Sequence, residues 1–305
     1  MVEIQATADG IRQGFGGDTL NTAVYLARLA RMHHKPINVS YATALGCDAL
    51  SESMQQAWQQ EGIDAGLIVQ LEEKLPGLYM IENQPCGERD FYYWRSDSAA
   101  RYWLTNADLE ALFRQLLQFD VIYLTGITLA IQTPANLARL MALLIRLKGA
   151  GCTIAFDSNY RPKLWQDRLH AQQVFQQIYA IADIALLTFE DEQLLFEDPS
   201  PEACLNRLAP YAFDQLVLKL GAEGCLVVEQ GESQWVPTTP VKDVVDTTAA
   251  GDSFNAGYLF SWLVSKNSAL AAQAGHCLAG EVIRHKGALI AQHAMPALEI
   301  TESQK

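Results

Sequence analysis

The sequence lacks the features that mark membrane and secreted proteins. No apolar run approaches the roughly 20 residues that a membrane-spanning helix needs. Residues 1–5 have neither the basic nor the apolar region of a secretory signal. The six cysteines are scattered with no pair at metal-site spacing, so we expect reduced thiols. These absences together predict a cytoplasmic protein.

Basic residues are also scarce. There are 22 Lys and Arg against 35 Asp and Glu, which gives a net charge of -13. Nucleic-acid binding needs clustered basic side chains to neutralise phosphates, so we expect no nucleic-acid partner and no membrane partner. An anionic substrate would need basic residues placed locally around its site.

The two common phosphate-binding fingerprints are missing as well. Neither Gly-x-x-x-x-Gly-Lys-[Ser/Thr] nor Gly-x-Gly-x-x-Gly occurs. Instead, residues 246–254 read Asp-Thr-Thr-Ala-Ala-Gly-Asp-Ser-Phe, and an apolar pattern of helical period follows. Small residues at a helix N-terminus let an anion approach the unpaired N–H groups. Asp252 there is either a general base that takes a proton from an attacking hydroxyl or only a helix cap.

The order of predicted elements indicates an α/β fold. Gly16 and Gly17 lead into a second helix, with Asp18 as its expected cap. Residues 67–95 have the short alternating pieces and turn residues of β-hairpins. After Asp108, apolar strands alternate with amphipathic helices to the end of the chain, which predicts a mostly parallel sheet covered by helices on both faces. One of these strands is expected over residues 216–220, and an earlier strand is expected over residues 39–45.

The motifs resemble those of the ribokinase-like (PfkB) carbohydrate kinases, and the resemblance covers nearly the whole chain. Residues 246–252 are similar to the C-terminal signature of that family, and Gly16-Gly17 with Asn21 to its N-terminal sugar-binding signature. Segments 14–21, 75–79, 91–95 and 159–165 are similar to the kinases of that family that act on keto sugar acids. The resemblance implies a single ribokinase-like domain, residues 1–305, with a β-sheet lid built mainly from about residues 67–97 plus 4–14.

The implied activity is ATP-dependent phosphorylation of the C6 hydroxyl of 2-keto-3-deoxygluconate, a small sugar acid. Two alternatives stay open. One is a kinase for another sugar or sugar acid, such as fructose or 2-keto-3-deoxygalactonate. The other is an inactive sugar- or nucleotide-binding regulator on the same fold. The resemblance also implies self-association into a homo-oligomer.

By the same resemblance, Asp252 is the catalytic base, and backbone N–H groups of Ala250 and Gly251 form the anion hole. Arg95 and Arg161 suit the substrate carboxylate, and this interpretation is favoured over the alternative that they form only surface ion pairs. The remaining residues implied in substrate contact are Gly17, Asn21, Tyr79, Tyr93, Ile127 and Asp252 itself. Those implied in nucleotide binding are Asn159, Lys219, Gly221, Gly224 and Ala249.

Two departures from the family pattern concern metals and the chain start. Relatives organise Mg²⁺ through Asn-x-x-Glu, whereas residues 188–191 here read Thr-Phe-Glu-Asp, so Asp191 is expected to take the Glu position directly or through water. Asp246 and Thr248 fall where relatives hold a monovalent cation such as K⁺. The family normally opens with a buried strand before the acidic residue that Glu3 matches. We therefore expect the first strand to be missing, as in a sequence that starts at an internal methionine of a longer protein.

Overall fold

The computed structural model describes residues 1–7, 10–83 and 89–299. The chain divides into two compact units, Met1–Asn106 (unit 1) and Ala107–Lys305 (unit 2). Among the helices of the described residues, none is long and apolar enough to cross a membrane.

Unit 1 contains eight strands and two α-helices within its described residues. They are β1 (Val2–Thr7), β2 (Gly10–Phe15), α1 (Asp18–Met32), β3 (Val39–Ser40), β4 (Thr43–Leu45), α2 (Ala49–Gln60), β5 (Ile63–Asp64), β6 (Ile68–Gln70), β7 (Leu78–Asn83) and β8 (Arg89–Trp94).

The main feature of unit 1 is a four-stranded sheet in the order β2-β1-β7-β8. The predicted hairpin is confirmed, since β7 pairs antiparallel with β8, and β1 joins it in parallel through Glu3 opposite Tyr79. The single strand predicted over residues 39–45 is wrong. The backbone there forms β3 and β4, which pair with β5 and β6 in separate two-stranded sheets.

Unit 2 contains six strands and eight α-helices within its described residues. They are α3 (Leu109–Leu116), β9 (Val121–Thr125), α4 (Gly126–Ala130), α5 (Pro134–Gly149), β10 (Thr153–Asp157), α6 (Arg168–Tyr179), β11 (Ile184–Thr188), α7 (Phe189–Phe196), α8 (Pro201–Leu208), β12 (Gln215–Lys219), β13 (Cys225–Glu229), β14 (Glu232–Val236), α9 (Ala250–Ser265) and α10 (Ser268–Val282).

These strands form one six-stranded sheet in the order β14-β13-β12-β11-β10-β9. Strands β9 to β12 are parallel, as their continuous apolar sequences predict. The expectation that strand and helix alternate to the end was wrong for residues 225–236, where β13 and β14 form an antiparallel hairpin. The α/β fold class is confirmed.

The packing of α9 on α10 fixes the helix that carries Asp252. A Cβ on Gly257 would lie 2.8 Å from the carbonyl oxygen of Ala274, and one on Gly275 would lie 2.8 Å from Phe254. These two glycines therefore let the helices approach closely. Phe254 and Tyr258 of α9 join a buried core with Ala155 and Leu186 of the sheet, so the start of α9 is held on the sheet edge of unit 2.

Candidate functional site

The first turn of α9 has the geometry of an anion site. The residue before the helix, Ala249, adopts a left-handed conformation with φ 60° and makes no side-chain cap. Asp252 is the third residue of the helix, so the interpretation of Asp252 as only an N-cap is wrong. Ala250 N–H donates to the carbonyl of Thr247 at 3.2 Å, and an anion bound there would share this donor. The helix N-terminus still favours negative charge through its dipole.

The segment that enters this turn is held by Asp246, which is 7% exposed. One carboxylate oxygen accepts from Thr248 N–H at 3.0 Å and the other from Gly287 N–H at 2.6 Å. The backbone N–H of Asp246 donates to the carbonyl of Ile283 at 3.1 Å. Asp246 therefore shapes the loop, whether or not it also binds a cation.

A buried ammonium group lies beside the same turn. Lys219, at the end of β12, has its Nζ 3.0 Å from Oδ1 of Asp157 and 3.1 Å from Oδ1 of Asn255. A Cβ on Gly251 would lie 3.8 Å from this Nζ. The amide nitrogen of Asn255 donates to the hydroxyl of Tyr123 at 3.0 Å. Lys219 therefore lies beside residues 249–251, the turn before and at the start of α9 that we call the anion turn, and its charge is already partnered by Asp157.

Asp191 lies near the start of α7, against the residues that follow β10. Its Oδ2 accepts from Ser158 Oγ at 3.0 Å and from Tyr160 N–H at 3.2 Å, and its Oδ1 lies 3.4 Å from Nη1 of Arg161. Burial raises the pKa of Asp191, while the charge of Arg161 opposes that shift. Thr188 N–H donates to Ser158 Oγ at 3.1 Å, which ties the end of β11 to the same group. Arg161 therefore makes a long ion pair with a predicted magnesium residue.

Ile127 and Asn159 follow the carboxyl ends of two neighbouring parallel strands. Ile127 is the second residue of α4, directly after β9, and Asn159 follows β10 with φ 28°. A Cβ on Gly126 would lie 2.1 Å from the carbonyl oxygen of Ser158, so the two chain segments touch at a position that admits only glycine. This close approach brings the two predicted positions to one edge of the sheet.

Gly221 and Gly224 form the turn between β12 and β13. Their φ angles are 56° and 116°, and a Cβ on Gly224 would lie 2.4 Å from the carbonyl oxygen of Val236. The chain beyond Val236 forms one wall of a pocket of about 440 Å³, and α10 forms the other. The pocket is lined by Thr238, Val241, Lys242, His276, Gly280 and Arg284, among others. The segment that leads to Asp246 therefore forms part of the pocket lining.

In unit 1, the two signature glycines serve different purposes. Gly17 has φ 148° and precedes α1 as its N-cap, and its carbonyl accepts from Asn21 N–H at 2.7 Å. Asp18 is the first residue of the helix, so the prediction that Asp18 caps it was wrong. A Cβ on Gly16 would lie 2.4 Å from the hydroxyl of Tyr79. Gly16 therefore makes room for a predicted substrate residue.

The predicted aromatic and basic residues of unit 1 form one row across the sheet. Tyr79 lies opposite Glu3 on one side and Tyr93 on the other, with the two tyrosine rings 6.0 Å apart. Tyr79 donates its hydroxyl to a carboxylate oxygen of Glu3. Arg95 stacks over Tyr93 at 4.2 Å. This row places hydroxyl, aromatic and guanidinium groups on one face of the sheet.

Several polar residues of the site were not predicted. The sequence places Asp157 and Ser158 at the carboxyl end of an apolar strand, where ligands bind in such sheets, but it assigns them no role. Asn255 could have been found as a buried amide inside an apolar helix. Tyr123 and His276 carry no signal in the sequence that distinguishes them from core residues.

The fold and the first turn of α9 are those of a phosphotransferase. Parallel strands end beside a helix N-terminus of the kind that attracts phosphate, and the carboxylate of Asp252 lies within its first turn.

Comparison with known proteins shows to which family of phosphotransferases the chain belongs. The model of the pfkB family of carbohydrate kinases matches residues 2–295. A 2-dehydro-3-deoxygluconokinase of Dickeya dadantii is 46% identical over 300 residues, 97% of this chain and 96% of that protein. The 2-dehydro-3-deoxygluconokinase of Escherichia coli K12 is 43% identical, with the same two coverages. The chain belongs to the pfkB family of carbohydrate kinases.

Solved structures agree at the level of the fold. Aminoimidazole riboside kinase from Salmonella enterica, in complex with aminoimidazole riboside and an ATP analogue, has a TM-score of 0.79. The sequence identity is 22%, and the match covers 97% of this chain and 93% of that chain. The ribokinase-like fold predicted from the motifs is thereby confirmed.

Proposed function

We propose that this kinase transfers the γ-phosphoryl group of ATP to the C6 hydroxyl of 2-keto-3-deoxygluconate, giving 2-keto-3-deoxy-6-phosphogluconate. The observation that carries the proposal is the position of Asp252 in the uncapped first turn of α9. The substrate is taken from the relatives that are 46% and 43% identical over nearly their whole length.

In the proposed mechanism, Asp252 accepts the proton of the C6 hydroxyl as its oxygen bonds to the γ-phosphorus and the bond to the ADP oxygen breaks. Backbone N–H groups of Ala250 and Gly251 stabilise the negative charge on the transferring oxygens. Because phosphoryl transfer depends mainly on position and charge, these fixed donors supply much of the catalysis.

For the nucleotide, we propose that Asn159, Lys219, Gly221, Gly224 and Ala249 form the phosphate and ribose side. The base would lie in the pocket beside α10, because Gly224 packs against the start of one pocket wall. His276 on α10 donates its Nε2–H to the carbonyl of Val236 at 3.2 Å, and burial lowers its pKa. A neutral imidazole of this kind suits an uncharged base.

For the sugar acid, we propose Arg95 and Arg161 as carboxylate partners, with Gly17, Asn21, Tyr79, Tyr93 and Ile127 as further contacts. The stacking of Arg95 on Tyr93 holds its guanidinium plane, and a held plane favours bidentate binding of a carboxylate. This choice favours an acid over neutral hexoses.

We propose that Mg²⁺ is associated with Asp191 through water. Both carboxylate oxygens of Asp191 already have partners, Ser158 and Tyr160 on one and Arg161 on the other, so contact through water fits them better than direct ligation. Bound Mg²⁺ would neutralise charge on the ATP phosphates. In the Asp191→Asn variant, half-maximal activity should require more Mg²⁺.

Asp246 and Thr248 are proposed to hold K⁺. The buried Asp246 carboxylate accepts an N–H bond on each oxygen, and a carboxylate oxygen can accept more than one partner. Activity in choline buffer should rise on addition of K⁺ if this site is used, and equal activity in both would reject it.

The decisive experiment measures ADP release by wild type and Asp252→Asn with 2-keto-3-deoxygluconate, 2-keto-3-deoxygalactonate and fructose. We expect the highest kcat/KM for 2-keto-3-deoxygluconate, and a loss of about 10²- to 10⁴-fold in kcat for the variant. ATP binding by calorimetry should persist in that variant. Equal turnover by the variant would reject Asp252 as the base, and faster turnover of fructose would reject the arginine argument.

We further propose that the four-stranded sheet of unit 1 acts as a lid. We also propose that the same sheet mediates self-association into homo-oligomers. The proposed location is the cytoplasm, where ATP is available. Aromatic side chains of β8 are 39% to 59% exposed, as in surfaces that bind another chain. Hydrogen exchange over residues 67–97 should slow with substrate, and light scattering should give the mass of a multiple of the chain.

A further inference from the structure

The ammonium group of Lys219 is an unusual charge to find at the edge of a sheet core. Lys219 is 7% exposed, and all five residues of β12 are buried. A buried ammonium is costly unless carboxylate or amide oxygens surround it. Asp157 is 3% exposed and Asn255 is fully buried, and both present an oxygen to it within 3.1 Å.

The amide of Asn255 has a fixed orientation. Its oxygen must face the ammonium, since Lys219 is a donor only. Its nitrogen then donates to the hydroxyl of Tyr123 at 3.0 Å. Asn255 lies one helical turn after Asp252, so this amide ties the catalytic end of α9 to β9 and β12 at once.

The ammonium lies directly behind the anion turn. A Cβ on Gly251 would be 3.8 Å from Nζ of Lys219, so no side chain separates the charge from the backbone of that residue. The ring of Phe254 lies on another side, with its centroid 6.0 Å from Nζ. The ammonium, whose charge Asp157 partly offsets, therefore lies beside the positive end of the helix dipole on a side with little solvent.

We propose that Lys219 stabilises the transferring phosphoryl group from behind the turn of residues 249–251, and that Asp157 and Asn255 are positioning residues that hold its ammonium there. This inference rests on the proposed kinase function and sharpens it. Among the residues proposed for the phosphate side of the nucleotide, Lys219 acts through its charge on the developing negative charge of the transition state and not through a direct bond to ATP in the ground state. Its contribution therefore belongs to kcat and not to the KM for ATP.

The test compares Lys219→Met and Asn255→Asp with a matched control, Lys148→Met. Lys148 makes a lysine–aspartate ion pair with Asp183 at 2.7 Å, elsewhere in unit 2. Asn255→Asp keeps the side-chain shape and adds a second carboxylate beside the ammonium. Kinetics with 2-keto-3-deoxygluconate are combined with calorimetric affinities for ADP alone and for ADP with aluminium fluoride, a mimic of the transferring phosphoryl group.

We expect Lys219→Met to lower kcat by about 100-fold and Asn255→Asp by about 10-fold, with the KM for ATP changed less than threefold. The affinity for ADP with aluminium fluoride should fall in parallel with kcat, while the affinity for ADP alone should be unchanged. The control, Lys148→Met, should match wild type in kcat, in the KM for ATP and in both calorimetric affinities.

A raised KM for ATP with kcat unchanged would overturn the proposal, because Lys219 would then be a ground-state ligand. If Lys219→Met fails to fold, the Asn255→Asp variant tests the proposal by itself. A wild-type kcat in Asn255→Asp would also overturn the proposal. Absence of turnover in the wild type with any sugar would instead reject the proposed function. The aluminium fluoride affinities would then still decide the role of Lys219.

Discussion

Replacement of Arg207 by methionine should destabilise unit 2 through a buried ion-pair network on α7. Nη2 of Arg207 lies 2.7 Å from Oε2 of Glu192 and 2.7 Å from Oδ2 of Asp198. Glu192 is fully buried, and its other oxygen accepts from the hydroxyl of Tyr179 at 2.6 Å. The guanidinium also stacks on Phe196 at 3.9 Å. Removing it would leave two buried carboxylates without their cation.

The expected loss follows from this geometry. Removing one partner of a buried ion pair costs about 3–5 kcal/mol, since the remaining charge is uncompensated. For a unit of this size, that corresponds to a fall in Tm of about 6–20 °C. Arg168→Met is the matched control, because it removes the ion pair to Glu197 in which both side chains are at least half exposed. The control should lose less than about 1 kcal/mol.

The loss should depend on pH. Burial raises the pKa of Glu192 to about 7, and the charge of Arg207 opposes that rise. A folded-state pKa above the unfolded value of 4.5 means that the contribution of Glu192 to stability is complete below pH 4.5 and is lost as pH rises through about 7. Without Arg207 the pKa rises further, so the variant should suffer more at pH 8 than at pH 5, where Glu192 is protonated.

Urea unfolding at pH 5 and pH 8 measures both effects, and a double-mutant cycle with Glu192→Gln isolates the pair. The reasoning would be refuted by a loss below 1 kcal/mol at pH 8, or by equal losses at the two pH values. Because Asp191 is the neighbour of Glu192 on α7, we also expect the Mg²⁺ requirement of the variant to increase.

Three further predictions rest on close contacts and burial. Gly16→Ala should raise the KM for the sugar acid at least tenfold with the KM for ATP unchanged, because the added methyl would lie 2.4 Å from the Tyr79 hydroxyl; equal kinetics would show that Tyr79 can move away. Gly224→Ala should weaken ADP binding in calorimetry, because φ is 116° and the methyl would meet the carbonyl of Val236; unchanged affinity would reject the nucleotide role of this turn. Iodoacetamide should label the exposed Cys47 well before Cys225 in peptide mass spectra, since burial raises the pKa of the Cys225 thiol to about 12; equal labelling would indicate local opening of β13.

The sequence predicted the parallel part of unit 2 well because each element there carries a local signal. The strands are short apolar runs, and several helices begin at a capping residue, such as Asp167 before α6 and Thr133 before α5. The hairpin of β13 and β14 was missed. Its two turn residues, Gln230 and Gly231, have φ angles of 52° and 82°. A hairpin turn with two positive φ angles is usually marked by Asn-Gly or Asp-Gly, and Gln-Gly lacks that signal.

For the candidate site, the motifs predicted the residues expected to contact a ligand. They did not predict the neighbouring side chains that fix those residues in position. Asp252 and Gly17 belong to runs of small residues that signal close backbone approach. Glu3, which accepts from Tyr79, is separated from it by 76 positions, and the two meet only through the parallel pairing of β1 with β7. Such partners depend on strand order and register, which local patterns do not specify.

The buried charges of Lys219 and Asp157 also help to specify the register of the six-stranded sheet. Lys219 lies opposite Thr188, and Asp157 lies opposite Leu186 and Thr125. Because side chains alternate along a strand, a shift of β12 by one residue would turn Lys219 to the other face of the sheet. Its ammonium would then be separated from Asp157, and each charge would be buried without its partner. The same ion pair that places a positive charge behind the anion turn therefore also disfavours the nearest wrong pairing of β12 with β11.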